Sequence, residues 1–133
     1  MNYFLDSNIC IYYMKNKSQK LNDRLENTIT NKIKLPSMVV AELFYGASKS
    51  KWAQANFNHL RAFVSIYEII PFEEEAAYRY GTIRAYLEEK GQIIGNNDMI
   101  IAATVLSRDG VLVTNNAGEF SRVKNLVVED WTI

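Results

Sequence analysis

The sequence predicts an α/β fold with a doubly wound, mainly parallel sheet and helices on both faces. Two observations carry this. Short apolar runs of strand length recur at Tyr3-Phe4-Leu5, Ile33–Leu35, Tyr67–Ile70, Val111–Val113 and Leu126–Val128. Between them lie longer stretches in which apolar residues return every three or four positions, which is the period of a helix. Strands that alternate with helices are joined by crossovers, and crossovers make parallel pairs with both faces covered.

Each element has its own signal. Residues 2–6 read as a short buried strand that ends in Asp6. Ser7 or Asn8 then caps a helix running through about Met14. Ser18 opens a second helical segment, with Leu21, Leu25 and Ile29 on one face. Ile33 to Leu35 is a strand. Pro36-Ser37 stops it and caps a helix from Met38 to about Ser48. The next helix covers 52–64 and turns Phe57, Leu60 and Val64 inward. Tyr67 to Ile70 is a strand closed by Pro71. The helix from Glu73 to Lys90 is the clearest, with Ala76, Tyr80, Ile83 and Leu87 along one face. Acids fill its first turn, and Lys90-Gly91 ends it. Gly91 and Gly95 flank a tight connection. Asn96-Asn97 caps a helix through about Ser107 that is apolar on nearly every side, so it should be central and buried. Val111–Val113 is a buried strand, Ala117–Phe120 a short turn, and Leu126–Val128 the last strand.

At 133 residues the chain reads as one domain, 1–133, long enough for a substantial core. Its 48% hydrophobic and 23% charged residues are ordinary for a globular protein. The apolar runs fall short of a membrane span, and the N-terminus lacks the pattern of a secretory leader. Cys10 is the only cysteine, so no internal disulfide forms, and the reducing cytoplasm fits best. Between Ile9 and Ile11 it reads as a small buried residue and not as a nucleophile. The formal net charge of zero argues against a coat of positive potential for non-specific nucleic-acid binding. Lys15, Lys17, Lys20, Arg24, Lys32 and Lys34 make the N-terminal part basic, either as a local patch or as solvated helix faces.

Three acids stand alone in apolar surroundings. Asp6 follows Tyr3-Phe4-Leu5 and precedes Ile9-Cys10-Ile11. Glu42 lies between Val39-Val40-Ala41 and Leu43-Phe44-Tyr45, and Asp98 precedes Met99-Ile100-Ile101. Glu119, in Ala117-Gly118-Glu119-Phe120, is a fourth candidate. Acids are rarely buried unless paired or bound to metal, so a shared cation is the economical reading. The bland alternatives are a helix cap for Asp6, a first-turn acid for Asp98 and an exposed turn for Glu119. Sites in open α/β sheets form beyond the carboxyl ends of the strands, where the strand order reverses. If the first and fourth strands are neighbours there, these acids reach one crevice with Thr114, Asn115 and Asn116. Hard oxygen ligands without His or Cys favour Mg²⁺ or Mn²⁺ over zinc. Such a centre suits cleavage of a phosphodiester: the metal activates water and offsets charge on the phosphate.

Other chemistries lack their residues. His59, the only histidine, excludes a two-histidine ribonuclease mechanism within one chain. No Gly-x-Ser-x-Gly elbow and no Gly-rich phosphate loop occurs. A haloacid-dehalogenase phosphatase would want Asp where Asn8 stands, and a receiver domain would want an acceptor Asp after the strand that ends at Ile70-Pro71.

Four stretches resemble the PIN-domain nucleases. Phe4-Leu5-Asp6-Ser7-Asn8-Ile9 is similar to their opening motif, and Val40-Ala41-Glu42-Leu43-Phe44-Tyr45-Gly46 to their second. Ile94-Gly95-Asn96-Asn97-Asp98-Met99-Ile100-Ile101-Ala102-Ala103 resembles the third. Val113-Thr114-Asn115-Asn116 with Glu119-Phe120, Arg122-Val123 and Glu129-Asp130-Trp131 resembles the C-terminal signature of the VapC toxin branch. The resemblance implies a Mg²⁺- or Mn²⁺-dependent endoribonuclease, the toxin of a type II toxin–antitoxin pair. It implies metal ligation by Asp6, Glu42, Asp98 and Glu119. Ser7 keeps the hydroxyl of the usual Thr. Asn116 falls where many members carry a fourth Asp, which moves that charge to Glu119. Ser7, Asn8, Thr114, Asn116 and Arg84 are candidates for supporting the metal or the substrate, Arg84 either on phosphate or paired to a local Glu. Tyr12, Tyr13, Phe44, Tyr45 and Trp52 are candidates for stacking on bases or for packing. The implied partners are a structured RNA, often a tRNA cut in its anticodon loop, a second copy of the chain and a DNA-binding VapB-type antitoxin. The alternatives are a PIN-domain RNA-processing nuclease outside such a pair and a non-catalytic acidic binding module.

Overall fold

The computed structural model describes residues 1–133. Five parallel strands form one sheet: β1 (Tyr3–Leu5), β2 (Ile33–Pro36), β3 (Glu68–Ile70), β4 (Val111–Val113) and β5 (Val127–Glu129). Their order is β3-β2-β1-β4-β5. The chain moves outward from β1 through β2 to β3, then returns and moves outward the other way through β4 to β5. Right-handed crossovers in the two directions place their helices on opposite faces. The reversal lies between β1 and β4, which pair with Leu5 opposite Val113.

The first crossover holds α1 (Ser7–Met14) and α2 (Gln19–Glu26), the second α3 (Ser37–Ser48) and α4 (Ala53–Val64). The long return holds α5 (Glu74–Lys90) and α6 (Asn96–Ser107), and α7 (Ala117–Phe120) precedes β5. The core runs through β1 (Phe4, Leu5), β2 (Ile33, Leu35), β4 (Leu112, Val113) and α6 (Met99, Ile101, Ala102, Ala103, Val105), all buried. The expectation of a buried α6 holds. It sits among β2, β4, α3 and α5, so beyond its open first turn it is mostly covered from Met99 to Val105. Gly91 ends α5 in the left-handed conformation (φ 64°), a backbone state open to a residue without Cβ.

Several details differ from the sequence reading. Asp6, not Ser7 or Asn8, caps α1: its Oδ1 accepts from the Ser7 N–H at 2.8 Å. Ser37 and Asn96 are first residues of their helices, behind Pro36 and Gly95. α2 stops at Glu26, so Ile29 falls outside its apolar face and stands exposed. Lys34 is buried in β2 and pairs with Glu68 of the neighbouring strand at 2.6 Å, so it belongs to neither a basic patch nor a solvated helix face. Gly110 precedes β4 where the chain crosses Phe4. A Cβ there would lie 2.4 Å from the Phe4 ring and 3.2 Å from the Asn2 carbonyl.

Candidate active site

The switch point between β1 and β4 positions the first acid. Asp6 leaves β1 with its N–H on the Val113 carbonyl at 3.0 Å, and its Oδ2 accepts from the buried Thr114 hydroxyl at 2.7 Å. Thr114 is fixed in turn because the Asn116 N–H donates to its Oγ1 at 3.0 Å. One Asp6 oxygen thus takes the helix cap and the other takes a hydroxyl. Capping and site membership are the same arrangement.

Glu42 reaches the same place from α3. The Ser7 hydroxyl donates to its Oε1 at 2.5 Å, and the Asn97 amide to its Oε2 at 3.3 Å. Glu119 comes from α7. The Gly95 N–H donates to its Oε1 at 3.2 Å and the Asn116 amide to its Oε2 at 2.9 Å. Asp98 enters on the first turn of α6, beside Asn97, in an open cleft of about 380 Å³ lined by Glu42, Gly95, Asn96, Asn97 and Asp98.

Burial and neighbouring charge act differently on Asp6, Asp98 and Glu119. Burial raises the pKa of Asp6, against the bonds from Thr114 and Ser7, and the charges of Glu42 and Glu119 add to the rise. Asp98 is pushed up to about 7, first by burial and then by the charges of Asp6, Glu119 and Glu42. Glu119 is held below its ordinary value, first by the bonds from Asn116 and Gly95. A hydrogen bond between Asp98 and Glu119 raises the one and lowers the other. Asp98, the raised member of this pair, has no neutral donor of its own.

This donor set fits a hard divalent cation. Its ligand atoms are carboxylate oxygens, and neither Cys10, buried on the inner side of α1, nor the exposed His59 joins it. The carboxylates do not close into a three-residue cage. Magnesium commonly uses few protein ligands and completes its shell with water and phosphate.

The other expected residues divide. Ser7, Thr114 and Asn116 bond directly to the acids. Asn8 is exposed and Arg84 lies on α5, apart from them. The Arg84 guanidinium donates to Glu88 at 3.2 Å and to the Tyr80 hydroxyl at 2.8 Å, so it takes the local pairing of its two expected roles. Among the aromatic candidates, Tyr45 and Trp52 are exposed. Tyr12, Tyr13 and Phe44 pack on the core. Sequence reasoning missed the Gly95 N–H and Asn97. Asn97 carries a signal in retrospect, since it directly precedes Asp98 and a first-turn asparagine can turn its amide toward a neighbouring helix.

Residues 3–126 match the PIN domain family model. The chain is 44% identical over 132 residues to Ribonuclease VapC2 of Rickettsia felis, covering 98% of each chain. It is 37% identical over 131 residues to the tRNA(fMet)-specific endonuclease VapC of Salmonella typhimurium, again covering 98% of each. The crystal structure of DNA-bound VapBC from Salmonella typhimurium contains a chain that superposes with a TM-score of 0.93 at 37% identity, covering 98% of both. With four acids gathered at the switch point of a sheet ordered in this way, these likenesses make the chain a member of the PIN domain family, on its branch of VapC ribonucleases.

Proposed function

We propose that the chain is a Mg²⁺- or Mn²⁺-dependent endoribonuclease that acts as the toxin of a toxin–antitoxin pair. It hydrolyses phosphodiester bonds of a tRNA, with initiator tRNA as the first candidate and the anticodon loop as the place of cleavage. The observation that carries this reading is the cluster of Asp6, Glu42, Asp98 and Glu119, in which burial first and then the charges of its acidic neighbours push Asp98 up to about 7. Carboxylates brought together in an open cleft are suited to holding a cation. The tRNA(fMet)-specific endonuclease at 37% identity supports the substrate.

The four acids would hold the metal, which when bound supplies an activated water and offsets charge on the phosphate. The chain's own groups do the rest. Thr114 and the Ser7 N–H fix Asp6, Ser7 and Asn97 fix Glu42, and Gly95 and Asn116 fix Glu119. Asp98 would hold the cation in its ionised form. A single-stranded loop suits so open a site, because its bases can be splayed out and its backbone can approach the acids.

The reading places the chain in the cytoplasm, as a homodimer held inactive by a DNA-binding VapB-type antitoxin. The relative from Salmonella typhimurium was crystallised as DNA-bound VapBC, which supports the partner. No helix here is long and apolar enough to cross a membrane.

The test is cleavage of total bacterial RNA by purified protein with Mg²⁺ or Mn²⁺, beside EDTA and Asp98→Asn controls. Metal-dependent cuts that vanish in the variant and leave 5′-phosphate and 3′-hydroxyl ends are expected. Cutting that survives both controls would refute the proposed site. Expression of the wild type should arrest growth and expression of Asp6→Ala should not, and equal toxicity would sink the catalytic assignment.

A further inference from the structure

Three asparagines surround the acids, and one differs in what it does with its amide. Asn97 spends its NH₂ on Glu42 at 3.3 Å, and Asn116 spends its own on Glu119 at 2.9 Å. Asn96 lines the same cleft, but its oxygen is the engaged end: Oδ1 accepts from the Tyr80 hydroxyl at 2.5 Å. Tyr80 in turn accepts from Arg84 Nη1 at 2.8 Å, and Arg84 Nε is held by Glu88 at 3.2 Å.

Donor and acceptor capacities fix the direction of this chain. Guanidinium nitrogens only donate. The phenol oxygen therefore accepts from Arg84, and its proton needs an acceptor, which is Asn96 Oδ1. Turning the Asn96 amide around would set two donors on the phenol oxygen and leave the phenol proton without a partner. The Asn96 NH₂ is thus the free end. It carries two protons, stands exposed at the cleft, and is kept by Tyr80 from turning to a carboxylate as its neighbours do.

We propose that Asn96 is a substrate-contacting residue whose NH₂ donates to a backbone phosphate oxygen of the RNA strand in the cleft, and that Tyr80 and Arg84 are positioning residues for it. The inference rests on the ribonuclease reading above. A neutral donor suits this place. A cation here would pair with the acids, whereas an amide tied at its oxygen remains available to phosphate. Contacts to phosphate position a strand without reading its bases, so the effect belongs to affinity and is shared by all substrates.

The test uses the full chain with Mg²⁺ and a bacterial tRNA pool, comparing KM and kcat for wild type, Asn96→Ala, Asn96→Asp, Tyr80→Phe and the double variant Asn96→Ala with Tyr80→Phe. Asn96→Ala is expected to raise KM about tenfold with kcat nearly unchanged, the loss of one hydrogen bond to a charged group. Asn96→Asp keeps the acceptor for Tyr80 but repels phosphate, and should be worse. Tyr80→Phe should raise KM by less, and nothing further in the Asn96→Ala background. The Mg²⁺-induced rise in melting temperature should be the same in the wild type, Asn96→Ala, Tyr80→Phe and the double variant. Unchanged KM in Asn96→Ala overturns the proposal, and so does a Tyr80→Phe effect that adds in full to that of Asn96→Ala. Wild type that cuts no RNA overturns the ribonuclease reading together with this one. Wild type that cuts, with KM unmoved by Asn96→Ala, overturns this one alone.

Discussion

Among the acids of the cleft, Asp98 alone lacks a neutral donor, and that asymmetry makes pH and metal act through it. Near pH 4 its carboxyl begins to ionise in the unfolded chain. In the folded chain it holds its proton up to about 7. Between these values the folded state binds the extra proton, so stability falls as pH rises and levels off above 7. Asp6, also raised, has the same sign, whereas Glu119, lowered, loses its contribution only as pH falls through the acid range. The Asp98 loss should be about 1–2 kcal/mol, since its carboxyl is half exposed and water screens it. Urea melts across pH 4–7 should show this slope, and Asp98→Asn should flatten it. A cation competes with the same proton, so metal binding should release it and tighten as pH rises through the window. Calorimetry in two buffers of different ionisation heat would count the proton. At this scale the sequence displayed Asp6, Glu42 and Asp98 because each interrupts an apolar stretch. It could not display the Gly95 N–H or the Asn97 amide, because such donors are defined by helices from distant parts of the chain meeting at one point.

The elements were legible because their period changes cleanly from strand to helix, as in the apolar face of α5 through Ala76, Ile83 and Leu87. Their ends were less so. Ser7, Ser37 and Asn96 are good capping types, yet each sits one residue inside its helix, because the turn before it is set by Asp6, Pro36 or Gly95. Lys34 misled in a different way. Its aliphatic stem is covered within the sheet while its ammonium reaches Glu68 on the adjacent strand, a pairing visible only once β2 and β3 are in register. Glu68→Gln should therefore destabilise the chain, because the Lys34 ammonium loses the carboxylate it reaches. Gly110→Ala should cost about 1–3 kcal/mol, through the collision with Phe4. In urea both should lower the midpoint and leave the slope unchanged.

For the molecule as a whole, the metal and the fold should be thermodynamically linked. A cation bound by the folded chain and not by the unfolded one stabilises by about 2.7 kcal/mol at a hundred times its Kd. Millimolar Mg²⁺ or Mn²⁺ should therefore raise the melting temperature of the wild type, and should do so far less for Asp6→Ala. No shift in the wild type would count against a cation in the cleft. The zero net charge gives little long-range attraction for RNA, so recognition falls to short-range contacts around the cleft.

The sheet order also governs when the cleft can exist. Asp6 lies near the start of the chain, yet its hydroxyl partner is Thr114, 108 residues later, and β4 is the strand that completes the centre beside β1. A ribosome making this protein delivers Asp6 first and Thr114 late, with Glu42 and Asp98 between them. Until β4 emerges, Asp6 has neither a neighbouring strand on that side nor its clamp, and Glu119 has not been made. A message cut short before β4 should therefore yield a chain without an assembled cleft.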